Sequence, residues 1–186
     1  METSTRRGPS PKGVARRAEI LRVALDAYRT SGRYGPSLKS IADATGLSEA
    51  GVLHYFGSKD ELLVQVLAAD DARCAATYDL TTIDGFWELL AHTTRTPGLI
   101  RLLIDMTAAA TDPGHPAHAF VDRRTRDWLA LMERILGPGY DWEAQVLLAA
   151  ADGLRFQWLR DPSTDIVGDL RSLHTALLSG PGVRSS

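Results

Sequence analysis

The chain has 186 residues, 44% of them hydrophobic and 24% charged, with a formal net charge of -2. That is enough apolar material for a core that needs no disulfide or metal staple, and no apolar run approaches the roughly 18 residues of a membrane span. The opening METSTRRGPSPKG carries charge without the apolar stretch of a secretory signal, and the single Cys74 has no partner for an internal disulfide, so a cytoplasmic protein is expected.

Residues 1–13 mix Ser, Thr, Arg, Gly and Pro without periodicity and read as a disordered basic arm. From Ala15 onward Ile20, Leu21, Ala24, Leu25 and Tyr28 recur at helical spacing, while Arg16, Arg17, Arg22, Asp26 and Arg29 fill the other positions. This predicts an amphipathic helix, ended by SGRYGP. Ser37 is placed to N-cap a short helix, SLKSIADAT, and Gly46 to end it in the left-handed conformation. Ser48 then caps another short helix, LSEAGVLHYF, and Ser58 with Glu61 forms a capping box that opens a fourth. Two short helices joined by a tight turn containing Gly are the signature of a helix-turn-helix.

The rest of the chain shows helical periodicity without alternating strand patterns. Breaks fall near Thr81, at RTPG (95–98), TDPGHP (111–116), GPG (137–139) and RDPS (160–163). The expected fold is all-α with about nine helices. The division is an arm (1–13), a helix-turn-helix domain (14–62), a helical body (63–180) and a disordered tail (181–186). Charge follows the same division: residues 1–59 hold ten basic and five acidic side chains, +5, which leaves -7 for the remainder. A basic contact module on an acidic body points to an anionic partner for the first part.

The spacing I-A-x-x-x-G-L-S-x-x-x-V-x-x-Y-F-x-S-K-x-x-L-L, running from Ile41 to Leu63, resembles the N-terminal domain of the tetracycline-repressor (TetR) family. The likeness covers residues 15–67; beyond them it extends to length, helix count and a closing pair of apolar helices. The resemblance implies a homodimeric transcriptional regulator, usually a repressor released from pseudo-palindromic operator DNA by a small ligand. It also implies phosphate contacts from Ser37, Lys39 and Lys59. Leu53 departs from the pattern, since relatives commonly carry a tyrosine there and Leu offers an apolar contact alone.

The residues themselves agree on the helix that meets DNA. Ser48 and the free amides it caps face phosphate, and Ala50 and Gly51 leave little side chain on the approaching surface. Gly51 has a second reading, tight packing inside the domain. Glu49 likewise has two: an acceptor for a cytosine amino group, or a first-turn acid that complements the helix dipole. His54 and Tyr55 are placed to donate to phosphate, whereas Val52 and Phe56 point into the core. Arg6 and Arg7 are either a minor-groove contact or a solvated tail.

In the body, Val146, Leu147, Leu154 and Trp158 lie on a helix apolar on nearly every side, and Ile166, Leu170, Leu173 and Leu177 form a seam on the last helix. Together they are the expected dimer interface. Trp87, Leu90, Met106, Phe120, Trp128 and Met132 are expected to line a ligand cavity, with Arg101, Asp105, Arg124 and His92 as polar anchors. His115 and His118, with Asp112 and Asp122 nearby, do not make a convincing metal set, and no cofactor or metal is assigned. No nucleophile elbow, phosphate-binding glycine loop or paired-carboxylate spacing occurs, so no catalytic site is expected. The rival reading is an all-helical small-molecule binding or interaction protein whose helix-turn-helix is structural.

Overall fold

The computed structural model describes residues 10–179. They form nine α-helices and no strand: α1 (Pro11–Thr30), α2 (Leu38–Thr45), α3 (Glu49–Phe56), α4 (Lys59–Thr77), α5 (Ile83–Thr93), α6 (Pro97–Ala109), α7 (Ala117–Leu136), α8 (Asp141–Arg160) and α9 (Ile166–Ser179). Each sequence break predicted by Pro and Gly coincides with a connection between helices. Among the described residues no helix is long and apolar enough to cross a membrane.

The start of α1 corrects one boundary. The helix begins at Pro11, not Ala15, because Ser10 caps it by accepting from the Gly13 N–H at 3.2 Å and Pro11 has the backbone angle of a first helical residue. Pro11–Gly13 therefore belong to the helix and not to the arm. Arg6, Arg7 and the tail from residue 180 lie outside the described residues.

Side chains bury themselves in two cores. The first joins Ile20, Ala24 and Tyr28 of α1, Ile41 and Ala42 of α2, Val52 and Phe56 of α3, and Leu62, Leu63, Val66 and Leu67 of α4. It continues into Leu99, Leu102 and Met106 of α6 and Ala117 and Phe120 of α7. The second joins Phe86, Trp87 and Leu90 of α5, Met132 of α7, Ala144, Leu147 and Ala151 of α8, and Ile166 and Leu170 of α9. Residue 62 thus marks no break in the helix or in the packing, since α4 and the first core both run through it. Full burial of a leucine such as Leu62 contributes about 2 kcal/mol.

The first core closes by a close approach between helices. A Cβ at Gly98, in the first turn of α6, would stand 2.6 Å from the Tyr28 carbonyl oxygen and against the Ser31 hydroxyl, so the last turn of α1 can lie directly on α6. Tyr28 is buried beside α6; burial first and Asp105 second push its phenol up to about 12. Gly98→Ala should lower stability by about 1–3 kcal/mol in urea unfolding. Because the first core spans both parts of the chain, far-UV circular dichroism and the fluorescence of Trp87, Trp128, Trp142 and Trp158, all on α5, α7 and α8, should report the same shift.

Candidate nucleic-acid interface and buried cavity

Local capping fixes the α2–turn–α3 unit. Ser37 Oγ accepts from the Ser40 N–H at 3.0 Å and Ser48 Oγ from the Gly51 N–H at 3.0 Å, each worth about 1 kcal/mol. Between them Gly46 has φ 66°, and the Leu47 N–H donates back to the Ala42 carbonyl at 2.9 Å. A side chain at Gly46 would be strained in that backbone, which explains the glycine. Val52 (0% exposed) and Phe56 (4%) then anchor α3 in the first core. The opposite surface of α3 is left to solvent.

That outer surface carries Glu49, Ala50 and His54, all exposed, with Gly51, Leu53 and Tyr55 half-buried behind them. Exposed Ser48 stands at the N-terminal end of α3, while Ser37, Lys39 and Lys59 are exposed at the starts of α2 and α4. Lys39 shares its charge with Asp43 at 3.5 Å on the same helix. Gly51 has an internal reason as well: a Cβ there would meet the capping Ser48 Oγ at 3.3 Å and Leu47 Cβ at 3.5 Å. The His54 and Tyr55 rings meet edge to face with centroids 5.7 Å apart.

Two arginines that the sequence pattern did not mark out hold this unit to α1. Arg16 donates through Nη2 to the Thr45 carbonyl, at the end of α2. Arg17 donates through Nε to the Tyr55 carbonyl at 3.2 Å and lies 4.8 Å over the Phe56 ring, at the end of α3. Both satisfy C-terminal helix carbonyls with a positive charge. In the sequence they were charges on a helix face; their targets are 29 and 38 residues away.

Five helices surround a cavity in the body. It is lined by Leu67, Asp70, Asp71 and Cys74 of α4, Leu89 and Thr93 of α5, Leu99, Ile100 and Leu103 of α6, Arg124 and Trp128 of α7 and Arg155 of α8, with Thr96 before α6. It holds about 50 Å³ for the centres of water-sized groups. A wider, more open hollow of about 300 Å³ lies beside it and shares Asp71, Arg124 and Trp128. Arg124 grips Asp71 with Nε at 2.8 Å and Nη2 at 3.1 Å, and lies 5.7 Å over the Trp128 ring. Burial, then Asp70, pushes the Cys74 thiol up to about 11, leaving it protonated near neutrality.

The predicted cavity residues scatter. Arg124 and Trp128 line the cavity, and Phe120 lines the wider hollow. Trp87, Leu90 and Met132 are buried in the second core and Met106 in the first. Arg101 and Asp105 pair with each other on the exposed face of α6, Nε lying 2.8 Å from each carboxylate oxygen, so they are not anchors inside the cavity. His92 instead meets Arg73 at 3.5 Å and Tyr78; burial, then Arg73, lowers its pKa. His115 Nδ1 accepts from the Ala117 N–H at 3.1 Å and its Nε2 faces Asp60 at 3.3 Å, while His118 Nδ1 contacts the Ala110 carbonyl at 2.7 Å.

The predicted interface residues also divide. Leu147, Ile166 and Leu170 are fully buried within the protomer, so they belong to its core and not to a surface for a partner. Val146, Leu154, Trp158, Leu173 and Leu177 are half-buried. The outward stripe of α8 is Trp142 (61% exposed), Gln145, Ala149, Gly153 and Phe156 (51%), at helical steps of three and four.

Residues 20–66, from the middle of α1 to α4, match the family model described as bacterial regulatory proteins, tetR family. The likeness to the TetR family therefore lies in this N-terminal segment. It is 35% identical over 66 residues to the HTH-type transcriptional repressor AcnR of Corynebacterium efficiens, a match covering 36% of this chain and 35% of AcnR. The matched part thus spans about a third of that relative's length. A TetR transcriptional regulator from Rhodococcus sp. RHA1 shares the fold with TM-score 0.63 at 21% identity, over 91% of this chain and 99% of its own. FadR of Thermus thermophilus, a TetR-family repressor solved in complex with lauroyl-CoA, has TM-score 0.55 at 21% identity, over 91% and 97%.

In the helix-turn-helix head, removing the Arg17 guanidinium leaves the Tyr55 carbonyl and the Phe56 ring without their cation. Arg17→Ala should cost about 2 kcal/mol in urea unfolding, the size of one charged hydrogen bond with its aromatic contact.

Proposed function

We propose that this protein is a homodimeric, DNA-binding transcriptional repressor that leaves its operator when a small molecule occupies the cavity between α4 and α8. The observation that carries the reading is α3. One face of it is locked into the core by Val52 and Phe56, while its capped N-terminus and small outer residues face solvent, as do Ser37 and Lys59 at the starts of α2 and α4. That is the arrangement a helix needs to enter a major groove with its amides toward phosphate.

In this reading Ser37, Lys39, Ser48, His54, Tyr55 and Lys59 hold the DNA backbone, and Glu49, Ala50, Gly51 and Leu53 face base edges. Readout by so few polar groups leans on methyl contacts and DNA shape. The functional division is a DNA-contacting head and a ligand-binding body, mechanically joined by α4. Lys59 opens that helix and Asp70, Asp71 and Cys74 line the cavity further along it. Twelve residues from Lys59 to Asp71 make about 18 Å of continuous helix. A ligand that tilts α4 therefore moves the phosphate-contacting end, and the ligand shifts the equilibrium by its preference for the tilted state.

For the dimer, the α8 stripe centred on Ala149 and Gly153 lets a second copy approach closely, with Trp142 and Phe156 covering the flanks. A second copy accounts for two large exposed rings on one helix face. Half-buried Leu154, Trp158, Leu173 and Leu177 support this surface from behind.

Lys59→Ala should weaken binding to all DNA sequences and reduce the salt slope of the affinity by about one, whereas Glu49→Gln should change sequence preference. Gel shifts across salt concentrations on DNA upstream of the protein's own and neighbouring genes provide the check. Unchanged binding by both variants would show that α3 is not the reading helix. Phe156→Glu should convert the dimer to a monomer in sedimentation equilibrium, and a variant that stays dimeric would move the interface elsewhere.

A further inference from the structure

Arg155 is treated differently from the other charges around the cavity. Asp70 is held by Arg73 through Nε at 3.1 Å and Nη2 at 2.8 Å, and Asp71 by two nitrogens of Arg124, so both carboxylates on the wall already have forked cationic partners. Arg155 contacts Asp152 through Nη1 at 2.8 Å, and the two ends of that pair sit in unlike surroundings. The Arg155 side chain is 14% exposed, its partner 66%. The inner charge is desolvated while its counter-charge sits in water, which screens it. Burial is the largest influence on the guanidinium and lowers its pKa, yet arginine has no neutral form near pH 7. Asp71 on the cavity wall also attracts the guanidinium, but that carboxylate is held by Arg124, so a further anion on the cavity side would offset the remaining cost.

The space and lining beside Arg155 limit the anion. Leu67, Leu89, Leu99, Ile100, Leu103 and Trp128 make most of the wall apolar. The Thr93 and Thr96 hydroxyls are spent as donors to the Leu90 carbonyl at 2.7 Å and the Thr93 carbonyl at 3.1 Å. The space open to the centres of water-sized groups is about 50 Å³, so the cavity is narrow. A compact ligand fits that space, a longer one would have to reach into the neighbouring hollow of about 300 Å³, and a cation would meet carboxylates whose charge is already paired.

We infer that the cavity takes a short-chain monocarboxylate, its carboxylate on Arg155 and its alkyl body against Leu99, Ile100, Leu103 and Trp128. The forked geometry of guanidinium and carboxylate supplies the recognition, and the apolar wall supplies the rest. This assignment rests on the reading of the body as the ligand-binding part of a regulator, and it names the chemical class of that ligand.

Isothermal titration of the full chain with butanoate, butyramide, butylammonium and dodecanoate tests it. Butanoate should saturate one site per chain, with butyramide weaker by about tenfold or more, the worth of a charged hydrogen bond. Arg155→Gln should abolish measurable butanoate binding, and Arg155→Lys should weaken it while keeping the charge. Asp152→Asn should bind at least as tightly as the wild type, and it keeps the test decisive where Arg155→Gln does not fold. Equal affinity for the acid and its amide, a preference for butylammonium, or unchanged binding by a folded Arg155→Gln protein overturns the assignment. Dodecanoate binding without butanoate binding overturns its size. A gel shift on the same preparation separates the two readings: operator binding without butanoate binding removes the ligand class alone, whereas butanoate binding without operator binding removes the regulator and leaves the carboxylate site.

Discussion

The burial of α6 in the core of the N-terminal helices is the contact on which the rest of the molecule depends. Leu99, Leu102 and Met106 face α1 and α4, and Gly98 brings the first turn of α6 against the carbonyl end of α1. Leu99 also lines the cavity, together with Ile100 and Leu103 of the same helix. A side chain that belongs to both a core and a cavity wall cannot move for one without consequence for the other, because close-packed interiors transmit displacement instead of absorbing it. The head is therefore not an independent bead on a linker.

The charges are arranged with a similar economy. The basic excess of the first 59 residues is not spread evenly over a surface. Arg16 and Arg17 turn inward to the carbonyl ends of α2 and α3, Arg22 and Arg29 share Asp26, and Lys39 shares Asp43. Lys59 stands exposed at the N-terminus of α4. Around the cavity, Asp70–Arg73 and Asp71–Arg124 are partly buried pairs that add little net stability, since desolvation offsets much of their attraction. Asp71–Arg124 does tie α4 to α7, and the two pairs leave Arg155 as the charge with a solvent-exposed partner.

Much of the fold was legible in the sequence because its signals are local. Ser37, Ser48 and Ser58 each cap the helix they precede, and Gly46 ends α2 in the left-handed conformation, all decided within four residues of chain. The start of α1 is the exception, because Ser10 and Pro11 sit in a Gly- and Pro-rich stretch, where a cap has the same composition as a turn. The candidate DNA surface follows from the same local rules, since period and capping place Val52 and Phe56 on one face of α3 and Glu49 and Ala50 on another.

The cavity and the protomer's outer surface were not legible in that way. Composition and periodicity show that Trp87, Leu90, Met106, Leu147 and Leu170 will be buried, and they are; they do not show in which of two cores, or whether beside a void or a partner. Asp70, Asp71, Thr93, Leu99 and Arg155 converge from four helices with no motif to announce them. The sequence by itself determined the helices, most of their ends and the family resemblance of the head, because hydrogen-bonded turns and caps are set by near neighbours. Tertiary structure alone decided which apolar faces fill the protomer, which stay outside it, and which arginine is left facing a cavity, because those outcomes depend on how α4–α9 pack across distances that no local pattern records.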